Sequence, residues 1–244
     1  MDAIYETDRL LSEYLLFHYG HREEILLPDR AWPSGMNEAL DFAVRTAGAF
    51  PSGDVESALD LGCAVGRSTF EMARHCRKVV GIDFSHAFIR AATTLRDTGS
   101  LPYHRHDEAT ASTPLIAMPP SGVDRSRIEF YHGDATELPA NLGPFDRVHA
   151  ANLLCRLMDP QRLLDRLPSL VRPSGHLVLA TPCTWLAAFT PPSEWPVPDT
   201  RSWLEKSLSP AFDLLESRDE PFLIRETARK FQWTLSLLTL WQRR

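Results

Sequence analysis

The run Asp60-Leu61-Gly62-Cys63-Ala64-Val65-Gly66-Arg67-Ser68 constrains this chain more than any other. It joins a short apolar strand, Ala58–Leu61, to a helix predicted over Arg67–His75. Glycines at such a junction let the backbone approach a ligand that a Cβ would exclude. A dinucleotide-binding turn would need glycine at positions 62, 64 and 67. Ala64 and Arg67 occupy two of these, which disfavours pyrophosphate. The turn therefore suits a ligand without phosphates, and Asp60 beside it suits a positively charged group on that ligand.

Around this turn, strands alternate with helices. Lys78–Ile82 reads as a second strand and Ser85–Arg96 as a helix; Ile128–His132 and Phe145–Ala151 are strands three and four. A helix over Gln161–Val171 leads to strand five at His176–Thr181. Such alternation predicts an α/β fold with a mostly parallel, doubly wound sheet and a ligand at the carboxyl ends of its strands. Two closing strands, Phe212–Ser217 and Phe231–Trp241, have no helix between them, which implies an antiparallel strand at one end. Residues 1–50 read as a helical cap of the same domain, with apolar periodicity at Leu10–His18 and again over Met36–Ala47. Residues 51–244 form the core. Within it, 99–125 shows little periodicity and reads as a long insertion; Pro191–Thr200 reads as a lid or linker ahead of a short helix, Ser202–Leu208.

Composition narrows the class. The 244 residues carry 32 acidic and 26 basic side chains, a formal charge of -6, which argues against a nucleic-acid partner. No apolar run reaches the ~18 residues of a membrane span. The opening MDAIYETDRLL has acids where a signal peptide is basic, so a cytoplasmic location is expected. Cys63, Cys76, Cys155 and Cys183 lack ligand spacing, so they read as reduced thiols and no metal site is expected.

Further candidates lie at strand ends. Asp83 closes strand two and can accept from two ribose hydroxyls, with Phe84 and Ser85 beside it; Phe84 could pack on an adenine. Asp134 closes strand three, next to Ala135, and can accept from an adenine amino group. Asn152 and Leu153 follow strand four, whose end should face a reacting methyl. Singly, each acid reads equally well as a helix cap. Together with Asp60, Gly62, Cys63, Ala64 and Gly66, they resemble the class I S-adenosylmethionine-dependent methyltransferases over roughly residues 55–182. The resemblance implies a Rossmann-like seven-stranded sheet in the order 3-2-1-4-5-7-6, with strand 7 antiparallel and an N-terminal helical lid. It also implies S-adenosylmethionine as cofactor, with S-adenosylhomocysteine as its product and Asp60 near its amino group. Arg172-Pro173-Ser174-Gly175 is similar to the family's Pro-Gly-Gly turn.

Asn152-Leu153-Leu154-Cys155-Arg156 lacks the Pro-Pro-aromatic turn of amino-methylating DNA enzymes. The flanks are more particular. Tyr5–Gly20, Asn152–Leu157, Thr184-Trp185-Leu186 with Phe189-Thr190-Pro191, and Pro221–Trp233 resemble the 5-thiohistidine N-methyltransferases of ovothiol biosynthesis. In many of these the region follows an iron-dependent sulfoxide synthase, so a separate sulfoxide or selenoxide synthase is an expected partner. Cys183 and Trp195-Pro196-Val197 differ from the family's commoner residues. The resemblance implies N-methylation of a small amino-acid substrate, 5-thiohistidine or its selenium analogue 5-selenohistidine. A methyltransferase of another small metabolite and a non-catalytic adenosyl-ligand-binding subunit are the alternatives.

An imidazole near its reference pKa of ~6.5 is mostly neutral at pH 7, so attack on the methyl needs no strong base. Orientation is the harder demand, because a thiolate is the better nucleophile. Asn152, Arg156 and Tyr14 are the candidate catalytic residues. Tyr14, His18, Tyr19 and Trp185 could wall the substrate ring, Arg225, Arg229 and Lys230 could pair with its carboxylate, and Glu226 with its ammonium. Without the resemblance, Arg225–Lys230 reads as a solvated face, Tyr14 and Tyr19 as packing, and His18 as a structural histidine.

Overall fold

The computed structural model describes residues 5–244; positions 1–4 of the expected cap and of the acidic opening lie outside the described residues. In chain order the strands are β1 (Val55–Leu61), β2 (Cys76–Asp83), β3 (Leu101–Glu108), β4 (Ala111–Ala117), β5 (Ile128–His132), β6 (Phe145–Ala151), β7 (Val171–Thr181), β8 (Phe212–Arg225) and β9 (Phe231–Arg243). The helices are α1 (Asp8–Tyr19), α2 (Arg22–Ile25), α3 (Phe42–Ala47), α4 (Arg67–Met72), α5 (His86–Thr98), α6 (Pro160–Leu170) and α7 (Thr200–Leu208). The main sheet runs β5-β2-β1-β6-β7-β9-β8. Its first five strands are parallel, and β9 is antiparallel to both β7 and β8. This is the class I methyltransferase topology that the sequence implied.

Local chemistry sets the element starts. Ser85 accepts from Phe88 N at the head of α5, and Asp159 caps α6 ahead of Pro160 in its first turn. The inner strands are apolar on both faces, as parallel strands covered by helices must be. Alternate residues of β1 serve different cores. Ala58 joins Leu16, Phe42, Phe88 and Phe222 under α1, α3 and α5, whereas Leu59 and Leu61 join Leu163, Leu167, Leu204 and Trp241 under α6 and α7. Asp60 and its register partner on β6, His149, therefore face the α1/α3 side.

Four expectations change. The insertion at 99–125 is not a loop: β3 and β4 form an antiparallel hairpin, with Tyr103 and Ala117 buried in the first core. Its turn uses Ala109 at φ +49° rather than an Asn-Gly pair, and its strands carry His, Arg and Asp, so no hairpin signal shows. An Arg105–Asp107–Thr113 cluster ties the pair together. The helix expected from Met36 begins only at Phe42, behind a run of turns. β7 starts at Val171, where a helix was expected to end, and takes Ser174 (φ +63°) into its opening stretch. β8 extends to Arg225, so Arg225–Lys230 spans the tip of a long β8–β9 hairpin.

Candidate active site

The Asp60–Ser68 run folds as a tight connection from β1 to α4. Gly62 sits at φ +68°, and a Cβ there would lie 3.1 Å from Leu153 Cδ1. A side chain there would be strained by the backbone and would press on Leu153, so glycine is favoured. Two residues on, the Ala64 N–H donates to Asp83 Oδ2 (2.8 Å), while the Ser85 N–H donates to Asp83 Oδ1 (2.8 Å). Burial pushes the Asp83 carboxyl up to about 6; the two backbone donors pull in the opposite direction but do not overcome it. Ser85 also donates from its hydroxyl to the Tyr5 carbonyl (2.9 Å). Phe84 is half exposed, and the Asp134 Oδ1 accepts from the N–H and the hydroxyl of Thr136, both at 2.7 Å.

These residues line one end of a cavity of about 310 Å³ at the carboxyl ends of β1, β2, β5 and β6. That volume lies at the lower edge of ordinary ligand pockets. An adenosyl group fits what is present here: a glycine cradle at Gly62, an acceptor carboxylate at Asp83, a half-exposed ring at Phe84, and the Asp134–Ala135 turn, with Leu153 opposite.

Three residues assigned to the cofactor from the sequence are elsewhere. Asp60 is 1 % exposed and engaged on both oxygens: Oδ2 accepts from Ser68 Oγ (2.7 Å) and Thr69 Oγ1 (2.6 Å), and Oδ1 lies 2.7 Å from His149 Nδ1. It does not line the cavity, and its oxygens are turned to the protein interior. Cys63 is fully buried, with its thiol pushed up well above its ordinary value by burial. Gly66 also stands behind the wall. At φ +92° it heads α4, and a Cβ there would meet Phe130 Cζ at 2.7 Å, so this glycine serves helix–strand packing.

The far end of the cavity lies under α1 and α3. Tyr14 and His18 line it, with ring centroids 5.9 Å apart. Burial, with Arg67 nearby, pushes His18 down to about 3, so it is neutral, and its Nδ1 has no partner. Burial raises the Tyr14 phenol above its ordinary value. Asn152 lines the cavity at φ +55°, a region asparagine tolerates, and its Oδ1 accepts from Ser236 Oγ (2.7 Å). Arg156 stands 4.6 Å over the Phe189 ring and is the one Lys or Arg lining the cavity among the described residues. Sequence reasoning missed Tyr5, Phe17, Phe42, Thr46, Ile224 and His149, which also line it. Of these only His149 carried a signal: a histidine inside an apolar parallel strand, on a face shared with Asp60.

The remaining substrate candidates are not in the cavity. Tyr19 donates to the Val65 carbonyl (2.7 Å), tying α1 to the glycine turn. Trp185 donates to Thr200 Oγ1 (2.9 Å) and packs on Trp203. Arg225 is buried; it donates to the Glu24 and Ile25 carbonyls and pairs with Asp107 (3.0 Å), which locks the β3–β4 hairpin to β8. Glu226 pairs with Lys230 at 2.6 Å, and Arg229 is exposed near Glu108. This tip is a structural clasp and a solvated face, because its one buried cation is engaged through both terminal nitrogens by backbone carbonyls and Asp107, with only Nε left unpartnered.

Residues 59–179 match the family described as "Methyltransferase domain". A demethylmenaquinone methyltransferase of Clavibacter sepedonicus is 31 % identical over 124 residues, 51 % of this chain and 40 % of that protein. The O-methyltransferase cnsE of Penicillium expansum is 26 % identical over 178 residues, 72 % of this chain and 55 % of its own length. The chain thus spans about half the length of these curated relatives. The N-methyltransferase NodS of Bradyrhizobium japonicum, solved with S-adenosyl-L-homocysteine, superposes with a TM-score of 0.55 at 19 % identity over 96 % of this chain and 98 % of that one. That likeness is one of fold.

Proposed function

We propose that this chain, which carries an S-adenosylmethionine-dependent class I methyltransferase domain, methylates the imidazole nitrogen nearest the side chain (Nπ) of 5-thiohistidine, forming ovothiol A. Fold alone does not select an acceptor, and the relatives' names already differ, with demethylmenaquinone in one and an oxygen or nitrogen acceptor in others. Two things support the narrower reading. The flanking segments resemble the 5-thiohistidine enzymes along nearly the whole chain. The observation that carries it is the far end of the cavity, where aromatic walls, neutral His18, Asn152 and the single cation Arg156 suit a small zwitterionic heteroaromatic. The thiolated substrate would come from a separate iron-dependent synthase acting beforehand.

S-adenosylmethionine, when bound, supplies the methyl group from its sulfonium. Asp83 would hold its ribose hydroxyls, Phe84 and Asp134 its adenine, and Gly62 admits it against the backbone. Arg156 replaces the hairpin-tip arginines as the carboxylate anchor, a charge-assisted contact that contributes about 1.5–3 kcal/mol. Tyr14 and Phe17, set edge to face at 85°, would form two sides of the wall around the ring. Asn152, fixed by Ser236, would keep the ring nitrogen rather than the sulfur in line with the methyl. Orientation of this kind draws on the ~7–11 kcal/mol available from proximity. Incubation with S-adenosylmethionine and 5-thiohistidine should yield ovothiol A and S-adenosylhomocysteine in equal amounts. Calorimetric binding of S-adenosylhomocysteine without any methylated product would leave the domain reading standing and remove the substrate.

A further inference from the structure

The two ends of the cavity differ in their polar atoms. The nucleoside end presents carboxylates, whereas the far end holds His149, a histidine that the cofactor contacts do not use. His149 is 1 % exposed, lines the cavity, and its Nε2 has no hydrogen-bond partner. Its Nδ1 lies 2.7 Å from Asp60 Oδ1. A carboxylate can only accept there, so Nδ1 carries the proton and Nε2 is left as a lone-pair acceptor. Asp60 is itself held by Ser68 and Thr69, so the orientation of the pair is fixed from behind. A buried acceptor without a partner costs free energy unless a ligand supplies the donor.

We propose that His149, positioned by Asp60, is the acceptor for the ring N–H of the substrate and takes up the proton lost after methylation. This rests on the reading of the acceptor as an N–H heteroaromatic. Methylation of one ring nitrogen leaves the ring cationic, with the other nitrogen still protonated. That N–H bond breaks, its electron pair stays on the ring and neutralises it, and the proton passes to His149 Nε2. The resulting imidazolium is balanced by the Asp60 carboxylate and later loses its proton to solvent. Asp83, across the cavity and held by the Ala64 and Ser85 N–H groups, is the other carboxylate near the pair. From α1 come neutral His18 and Tyr14; α3 contributes Phe42, Ala43 and Thr46; β7 places Val178 in register. Arg67 of α4 bonds the His18 carbonyl, and Arg147 is committed to the Pro51 and Gly53 carbonyls.

The test uses His149→Gln and Asp60→Asn in the full chain, with three readouts. Nitrogen-15 spectra of the wild type should show His149 protonated at Nδ1 and bare at Nε2; a protonated Nε2 overturns the proposal. S-adenosylhomocysteine affinity should stay within about threefold in His149→Gln, while kcat/KM falls tenfold or more and the acidic limb of the pH–rate profile disappears. Asp60→Asn, which can donate to Nδ1 and favours the opposite tautomer, should reproduce the loss of kcat/KM. Wild-type kinetics in His149→Gln, or a loss of cofactor affinity that matches the loss of rate, overturns the assignment. If 5-thiohistidine is not methylated at all, the function reading fails, and His149 is judged by its tautomer and by the same variants on whichever N–H heteroaromatic the wild type accepts.

Discussion

The nucleoside end and the acceptor end of the cavity are built in different ways. At the nucleoside end each contact comes from a residue within a few positions of a strand terminus: Gly62 and Ala64 after β1, Asp83–Ser85 after β2, Asp134–Ala135 after β5. At the acceptor end the wall is gathered from α1, α3, β6 and β8, from Tyr14 to Ile224. Strand ends of a parallel sheet fix their loops by topology, so local sequence suffices there. Side chains that meet only through packing of distant elements leave no local pattern. The difference also separates what each end tolerates: changes at the first should act on cofactor affinity, and changes at the second on rate and on which atom is methylated.

The largest effect expected is a test of where the acceptor end stops. Arg225→Ala removes one donor from Asp107 and from the Glu24 carbonyl, which keep Arg105, and the side-chain donor of the Ile25 carbonyl, and should cost about 2–4 kcal/mol of stability, read by urea denaturation. Substrate KM should not change in the folded fraction; a raised KM with normal stability would return Arg225 to the site.

Asp83→Ala addresses the nucleoside end. Loss of the proposed ribose acceptor costs about 1–3 kcal/mol, so cofactor affinity should fall roughly tenfold or more. Unchanged calorimetric binding would remove Asp83 from that end. Its pH dependence sharpens the point. With the folded carboxyl at about 6, above its ordinary value, Asp83 contributes stability below its unfolded pKa, and this is lost as pH rises through about 6. Cofactor affinity runs the other way, because hydroxyl donors favour the ionised form. It should drop as pH falls below about 6 in the wild type and stay flat in Asp83→Asn.

Asn152→Ala separates orientation from proton transfer. It should lower kcat by about tenfold, a loss of ~1.4 kcal/mol, and raise the fraction of S-methylated by-product without moving the pH–rate profile. A normal rate with clean N-methylation would make Asn152 structural, and a displaced acidic limb would show that Asn152 acts on the proton-accepting group rather than on the orientation of the ring. The smallest effect belongs to Arg229→Ala. Its side chain is 71 % exposed, so stability should shift by less than ~0.5 kcal/mol with kinetics unchanged.

How far the sequence could be read follows the same division. The mostly parallel sheet, an antiparallel strand at one end and the turns at Gly62, Asp83 and Asp134 are legible because alternation and strand-end chemistry are local, whereas the order of the strands comes from the family resemblance. Asp60 was misread for a physical reason. An acid two residues before the glycine turn can face a ligand or the protein interior, and only its pairing with Ser68, Thr69 and His149 decides which. Arg225 was misread because the β3–β4 hairpin that neutralises it looked like a loop. His149 falls within the predicted strand four, but its partner lies 89 residues earlier, so local sequence does not single it out as a site residue.

The most direct measurement offers 5-thiohistidine, 5-selenohistidine and histidine together with S-adenosylmethionine and identifies the methylated atom by tandem mass spectrometry. The account predicts methyl on the ring nitrogen nearest the side chain of the chalcogen-bearing substrates, with little on histidine. Methyl on sulfur, or no methyl on any of the three while S-adenosylhomocysteine still binds, would contradict it.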